Sequence, residues 1–176
     1  VENPFKPTGG LRVLGGNLSP EFSAVLKLAG VEGGLEKNVF TGKARVLNSE
    51  AQLRNTLEKQ SEVFKTNDLI IVRYEGPSGA PGMPEMLDST ARIITLCREQ
   101  EIVVGLMTDA RFSGGSVGLV IGHVGPEAAL GGPIAYIEDG DEVVVYLNSN
   151  EINCPPLKND VILSARKIAW NKVVED

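Results

Sequence analysis

Apolar and polar positions along the chain fall into short runs separated by glycine and proline, so the pattern predicts many brief elements. Leu11-Arg12-Val13-Leu14 predicts a strand ending at Gly15-Gly16, Ser23 to Leu28 a second, and Lys43-Ala44-Arg45-Val46-Leu47 alternates as a half-buried strand does. Ser49 opens a predicted helix to about Lys59: the serine caps it, Leu53 and Leu57 recur four apart, and Glu50 suits the positive helix end. Asn67-Asp68 turns into Leu69-Ile70-Ile71-Val72-Arg73, a continuous apolar strand. After the rigid loop Gly76-Pro77-Ser78-Gly79-Ala80-Pro81-Gly82, a helix is predicted from about Pro84 to Glu99, burying Leu87, Ala91, Ile94 and the stem of Arg92. Ile102 to Met107 reads as a buried strand, Gly118 to Ile121 as a further apolar piece, and Pro126-Glu127-Ala128-Ala129 as the start of a short helix. Ile134 to Ile137 and Glu142 to Leu147 predict a strand pair around the acidic turn Glu138-Asp139-Gly140-Asp141. Asn148-Ser149-Asn150 turns again before Glu151-Ile152-Asn153. From Asn159 to about Val174 the pattern predicts an amphipathic helix with Val161, Leu163, Ile168 and Val173 among its apolar positions. Many short strands with three or four helices describe a β-rich α/β barrel carrying helices on its outside.

Composition narrows the function. With 176 residues the expectation is one domain, residues 1–176, able to bury a real core. A net charge of −6 argues against a nucleic-acid partner, which needs clustered cations. No apolar run approaches the ~20 residues of a membrane span, and no signal-peptide pattern opens the chain. A start at Val1 points to a domain trimmed or excised from something longer. Cys97 and Cys154 form no CxxC pair and cannot supply four ligands to zinc or an iron–sulfur cluster; two lone thiols in a cytosolic setting are expected.

Candidate chemistry concentrates in three segments. Thr108-Asp109-Ala110-Arg111-Phe112-Ser113-Gly114-Gly115-Ser116 ends a buried strand in an acid, a base, a hydroxyl and two glycines, whose backbone N–H groups a ligand oxygen can approach closely. A serine-capped glycine turn is the structural alternative. In the second segment, Arg73-Tyr74-Glu75-Gly76-Pro77 leads to Gly82-Met83-Pro84-Glu85-Met86, placing Glu85 in the first turn of the next helix. There it serves either the helix dipole or a magnesium-like cation as a hard oxygen ligand. Glu75 is a second candidate ligand, equally suited to an ion pair with Arg73 or Arg111. The third segment, Gly118 to Ala128, offers His123, read as a hydrogen-bonded turn residue, and Glu127, read as a cap-region acid. Phosphate-loop, dinucleotide and GxSxG signatures are absent. Asp109, Ser113 and His123 leave a hydrolase triad as a weaker alternative.

Together, Pro7-Thr8-Gly9-Gly10-Leu11…Gly16-Asn17-Leu18, Arg73-Tyr74-Glu75-Gly76-Pro77…Gly82-Met83-Pro84-Glu85-Met86, Thr108-Asp109-Ala110-Arg111-Phe112-Ser113-Gly114-Gly115 and Gly122-His123-Val124…Pro126-Glu127-Ala128-Ala129…Gly131-Gly132-Pro133-Ile134 resemble, in order and spacing, the C-terminal domain of the dihydroxy-acid and sugar-acid (phosphogluconate, aldonic acid) dehydratase family. The likeness covers roughly Pro7 to Val145. It implies a swivelling β/β/α barrel with flanking helices, similar to the C-terminal domain of aconitase-type enzymes. The implied activity is dehydration of a 2,3-dihydroxy acid to a 2-keto acid, with an iron–sulfur cluster binding the leaving 3-hydroxyl and Mg²⁺ binding the substrate carboxylate and 2-hydroxyl.

By that resemblance Glu85 is the magnesium ligand of this domain and Ser113, as alkoxide, is the base that takes the C2 proton. A serine hydroxyl is too weak an acid for that role without a nearby cation and oriented donors. Mg²⁺ near Glu85, and the N–H groups of Gly114, Gly115 and Ser116 at the substrate, would provide that field. Arg111 is expected to brace the turn, with Asp109 and Glu75 as its ready partners. Ala110 stands where the family has glycine, and the tail from Asn153 to Trp170 receives no role. Cluster cysteines and the other magnesium ligands belong to a larger N-terminal partner domain in a homodimeric full-length enzyme, so this chain alone is expected to be inactive. Branched-chain dihydroxy acids are the expected substrates; sugar acids, or a non-catalytic binding module of the same fold, are the alternatives.

Overall fold

The computed structural model describes residues 9–27, 38–112 and 119–175. Its strands are β1 (Leu11–Leu14), β2 (Ala24–Lys27), β3 (Val39–Leu47), β4 (Asp68–Val72), β5 (Gly105–Thr108), β6 (Val120–Gly122), β7 (Glu142–Tyr146) and β8 (Glu151–Asn153). They form one sheet in the order β1-β2-β6-β5-β4-β3-β7-β8. The two edges of that sheet meet: Gly15 N–H donates to the Asn150 carbonyl at 2.9 Å, and Ile152 N–H donates to the Gly15 carbonyl at 2.7 Å. The result is a nearly closed barrel, as the residue pattern and the resemblance both imply. Gly16 makes the seam possible. Its φ is +111°, and a Cβ there would run into the Ile152 carbonyl. The Asn17 amide extends the seam, donating to the Cys154 carbonyl at 2.8 Å and accepting its N–H at 2.7 Å.

β3, β4, β5 and β6 run parallel, while the remaining pairings are antiparallel. Helix α1 (Glu50–Lys59) links β3 to β4, and α2 (Leu87–Gln100) lies between β4 and β5. Period-two alternation sorts the side chains. Phe40, Ala44, Leu69, Ile71, Met107, Ile121, Val143 and Val145 fill the barrel interior. Ile70, Val72 and Leu106 point outward into a second layer with Leu53, Ile93 and Leu96 of the helices. Every residue of β4 is therefore buried, which explains the apolar run Leu69–Val72; Asp68 at its start is buried on the Arg45 guanidinium at 2.9 Å.

Ser49 caps α1 as expected, accepting the Gln52 N–H at 3.0 Å, and Leu53 is its fully buried residue. Other boundaries shift. α2 starts at Leu87, and its buried side carries Ser89, Thr90, Ile93 and Leu96 rather than Leu87, Ala91 and Ile94. Two polar residues disguised that side; Ser89 is satisfied by Glu50 at 2.6 Å and Thr90 by the Met86 carbonyl at 2.5 Å. β5 begins only at Gly105, after a lead-in whose Val103 carbonyl accepts from Asn67. The predicted strand Ile134–Ile137 is instead a 3-10 turn, Pro133–Tyr136. Its carbonyls do not join a ladder, because Arg73 takes those of Ile134, Ala135 and Ile137 at 3.2, 2.6 and 3.0 Å. β7 accordingly pairs with β3 and β8. The short helix predicted at Pro126 is a 3-10 turn over Ala128–Leu130.

Helix α3 (Asp160–Glu175) follows Asn159, whose Oδ1 accepts the N–H groups of Val161 and Ile162 at 3.0 and 3.2 Å. It docks through Leu163 and Trp170, while Val161 and Ile168 are exposed. Among the described residues no helix is long and apolar enough to cross a membrane. Leu28 and Gly118, the ends of two predicted strands, lie outside the described residues.

Candidate active site

Four parallel strands end along one edge, at Leu47, Val72, Thr108 and Gly122. The carboxyl edge of such a sheet is where α/β folds place ligands. Two of the motif segments, Arg73-Tyr74-Glu75-Gly76-Pro77 and Asp109-Ala110-Arg111-Phe112, leave β4 and β5 side by side there.

Two buried carboxylates tie these loops together. Asp109, 3% exposed, accepts the N–H of Tyr74 (3.0 Å) and Ala128 (3.0 Å) on Oδ2 and that of Glu75 (3.1 Å) on Oδ1. Burial pushes its pKa up against the pull of those three donors, and Glu127 nearby adds to the rise. Glu127 accepts the N–H of Ser78 on both oxygens at 3.0 Å and that of Gly79 at 3.1 Å. A Cβ on Gly76 would sit 2.5 Å from Glu127 Oε2, so glycine is what lets this carboxylate reach the loop.

Glu85 does not lie in the first turn of α2; it precedes the helix in extended backbone, bridged to Arg111 in parallel. That removes the helix-dipole alternative, and Asp88 occupies the first turn. Arg111 takes neither expected partner, Asp109 or Glu75, and instead holds the Met83–Glu85 segment: Nε donates to the Met83 carbonyl at 2.9 Å and the guanidinium to Glu85 Oε1 at 2.7 Å. Both side chains of the ion pair are some two-fifths exposed, 43% and 42%. Glu75 pairs with neither arginine. Its Oε1 accepts the Glu50 N–H at 2.6 Å, at the start of α1. Arg73 is half-buried against carbonyls and Asn48 Oδ1 (2.8 Å), and that burial lowers its pKa.

Ser113, Gly114, Gly115 and Ser116 lie outside the described residues. The chain enters them from Phe112, whose ring packs over Gly122: a Cβ there would lie 3.0 Å from Phe112 Cδ2. His123 is exposed, has φ +55°, and donates its N–H to the Ala110 carbonyl at 2.8 Å. The Asp109 carboxylate is taken up by three backbone donors, and among the described residues no hydrogen bond joins it to His123; Ser113, the third member of the alternative triad, lies outside them.

Residue patterns had not singled out Asp109 and Glu127 as organisers. For Asp109 the available signal was an acid directly after a strand buried along its whole length, where only a set of backbone donors makes burial tolerable. Among the described residues no three His, Cys, Asp or Glu side chains come together as a metal site. Glu85 fits as one carboxylate of a Mg²⁺ shell completed elsewhere, because Oε2 has no hydrogen-bond or ion-pair partner among the described residues. An iron–sulfur cluster finds no ligands here. Cys97 and Cys154 are both free; Cys97 is half-buried on α2, while burial and the nearby Asp141 push the Cys154 thiol up to about 12.

Comparison with known proteins shows the family to which the chain belongs. The family described as dihydroxy-acid/6-phosphogluconate dehydratase C-terminal matches residues 1–176. A dihydroxy-acid dehydratase of Pyrobaculum aerophilum is 47% identical over 145 residues, covering 82% of this chain and 24% of that protein. Dihydroxy-acid dehydratases of Francisella tularensis subsp. novicida and Thermus thermophilus are each 44% identical over 97% of this chain, covering 28% and 29% of their own length. The chain thus spans under a third of the length of these relatives.

Proposed function

This chain belongs to the dihydroxy-acid/6-phosphogluconate dehydratase C-terminal family, and on that premise we propose that it supplies half of the active site of a hydro-lyase converting a 2,3-dihydroxy carboxylic acid to a 2-keto acid. The observation that carries the proposal is the Arg111–Glu85 pair at 2.7 Å. It joins the loop bearing the candidate metal ligand to the loop that runs, two residues later, into Ser113. In the reaction Ser113 Oγ takes the C2 proton. The C–H electrons form the C2=C3 bond as the C3–O bond breaks, the departing hydroxide takes a proton back from Ser113 Oγ and leaves as water with the alkoxide restored, and the enol tautomerises to the ketone. Gly114, Gly115 and Ser116 offer backbone N–H groups to the substrate oxygens. Glu85, with one oxygen on Arg111, would hold a divalent cation through its other oxygen.

Mg²⁺, when bound, would orient the substrate carboxylate and 2-hydroxyl and favour deprotonated oxygens nearby; an iron–sulfur cluster would have to be held by other parts of the polypeptide, since Cys97 and Cys154 do not come together as its ligands. The working enzyme is a homodimer of longer chains in which a larger N-terminal domain brings the cluster cysteines and remaining metal ligands. The name shared by the relatives supports a dihydroxy acid over a sugar acid, and a branched-chain dihydroxy acid is the substrate we propose.

The test uses the full-length enzyme and both substrate classes. Ser113→Ala should abolish turnover with metal content intact, and Glu85→Gln should weaken Mg²⁺ binding. Normal turnover by Ser113→Ala removes Ser113 as the base; turnover of sugar acids alone overturns the substrate assignment.

A further inference from the structure

Tyr74 begins the loop that reaches Glu85, and its backbone is held in the left-handed region at φ +68°. A residue with a side chain persists there only where its surroundings over-determine it. Three contacts do so. The Tyr74 N–H donates to Asp109 Oδ2 at 3.0 Å. The Arg73 guanidinium stands over the Tyr74 ring, 5.5 Å from its centroid. The Tyr74 Oη accepts the indole N–H of Trp170 at 3.0 Å, across 96 residues of sequence.

Trp170 is fixed in turn by how α3 docks. Its ring meets Tyr136 edge-on, at 6.0 Å and 89°. It also covers Gly131, where a Cβ would lie 3.1 Å from the indole. One turn earlier, Arg166 holds both oxygens of Asp141 at 2.5 and 3.0 Å and the Tyr136 carbonyl at 3.0 Å. A single hydrogen bond from α3 therefore closes on the Tyr74–Glu75 dipeptide, whose two N–H groups straddle the Asp109 carboxylate.

We propose that Trp170 is a positioning residue for the dehydratase site, setting the exit direction of the loop to Glu85 through Tyr74 and thereby tuning turnover rather than merely anchoring the helix. The proposal rests on the dehydratase reading. The experiment therefore carries one readout that needs no activity.

In the full-length enzyme, Trp170→Phe removes the indole N–H and keeps an aromatic ring, and Tyr74→Phe removes only the acceptor. With rates normalised to metal content, each should lower kcat about fivefold, the scale of one hydrogen bond, with KM little changed. The double variant should be no slower than either single one. Hydrogen exchange should quicken in the segment holding Tyr74 and Glu75 in both single variants, whether or not the wild type turns over the tested acids. Unchanged exchange there overturns the proposal, as do kcat values within twofold of wild type, a multiplicative loss in the double variant, or a loss confined to KM. An inactive wild type with quickened exchange in the variants upholds the positioning role and overturns the dehydratase reading instead.

Discussion

Replacing Asp109 isolates what a buried carboxylate does for the loops at the carboxyl edge. Asp109→Ala leaves the N–H groups of Tyr74, Glu75 and Ala128 without their acceptor. Stranding buried donors costs ~1–3 kcal/mol each when water cannot replace the partner, and partial relaxation holds the sum to about 3–4 kcal/mol. Asp109→Asn keeps one oxygen, which can serve two donors, but turns an amide N–H₂ toward the third. It also relieves the burial that raises the Asp109 pKa. The net loss should be smaller, about 1–2 kcal/mol. The pH dependence has a definite sign. Because the folded-state pKa is raised, the native chain binds a proton more readily than the unfolded one between the ordinary value near ~3.9 and the higher folded value. The contribution of Asp109 to stability therefore falls as pH rises through that window. Asparagine does not titrate, so the advantage of wild type over Asp109→Asn should grow as pH is lowered through the window and level off below it. Urea unfolding of the three proteins across pH 4–8 measures this. Equal losses for Ala and Asn, or a gap that narrows in acid, would refute the role assigned to the three donors.

Two further outcomes concern the barrel. In the folded chain a thiol reagent at mildly alkaline pH should modify Cys97 well before Cys154, whose thiol is held near 12 by burial, and unfolding should abolish the difference; early Cys154 labelling contradicts that burial. Gly16→Ala should lower stability by about 2 kcal/mol or more, read by denaturant midpoint, since the new Cβ meets backbone and φ is positive; a neutral result would mean the seam is not as described.

The sequence was most legible where one local rule governed. The Ser49 cap with Leu53 beneath it and the continuous strand Leu69–Val72 needed only capping chemistry and period, and the four motif segments named the family. It was least legible where long-range partners replaced local ones. Ile134–Ile137 is apolar enough for a strand, but Arg73, 61 residues away, takes its carbonyls and stabilises a tight turn. The buried side of α2 was hidden by Ser89, whose hydroxyl finds its acceptor on Glu50 of α1, and by Thr90, whose hydroxyl turns back on the Met86 carbonyl one turn earlier. Asp109 and Glu127 look like solvent-facing acids until other loops bring their N–H groups to them. Glu85 could be singled out as a candidate carboxylate, yet its extended backbone and its pairing with Arg111 depended on a neighbouring loop.

The seam between β1 and β8 has a consequence for biosynthesis. Asn17 and Cys154, which lace it, are 137 positions apart. A nascent polypeptide leaving the ribosome can assemble the central parallel strands with α1 and α2 early, but the cavity between the outer strands stays open until translation has passed Cys154. Such late, distant closure slows maturation and leaves greasy surface for chaperones to shield. Codon choice or a pause ahead of β8 should therefore govern yield more strongly than equal delays placed elsewhere.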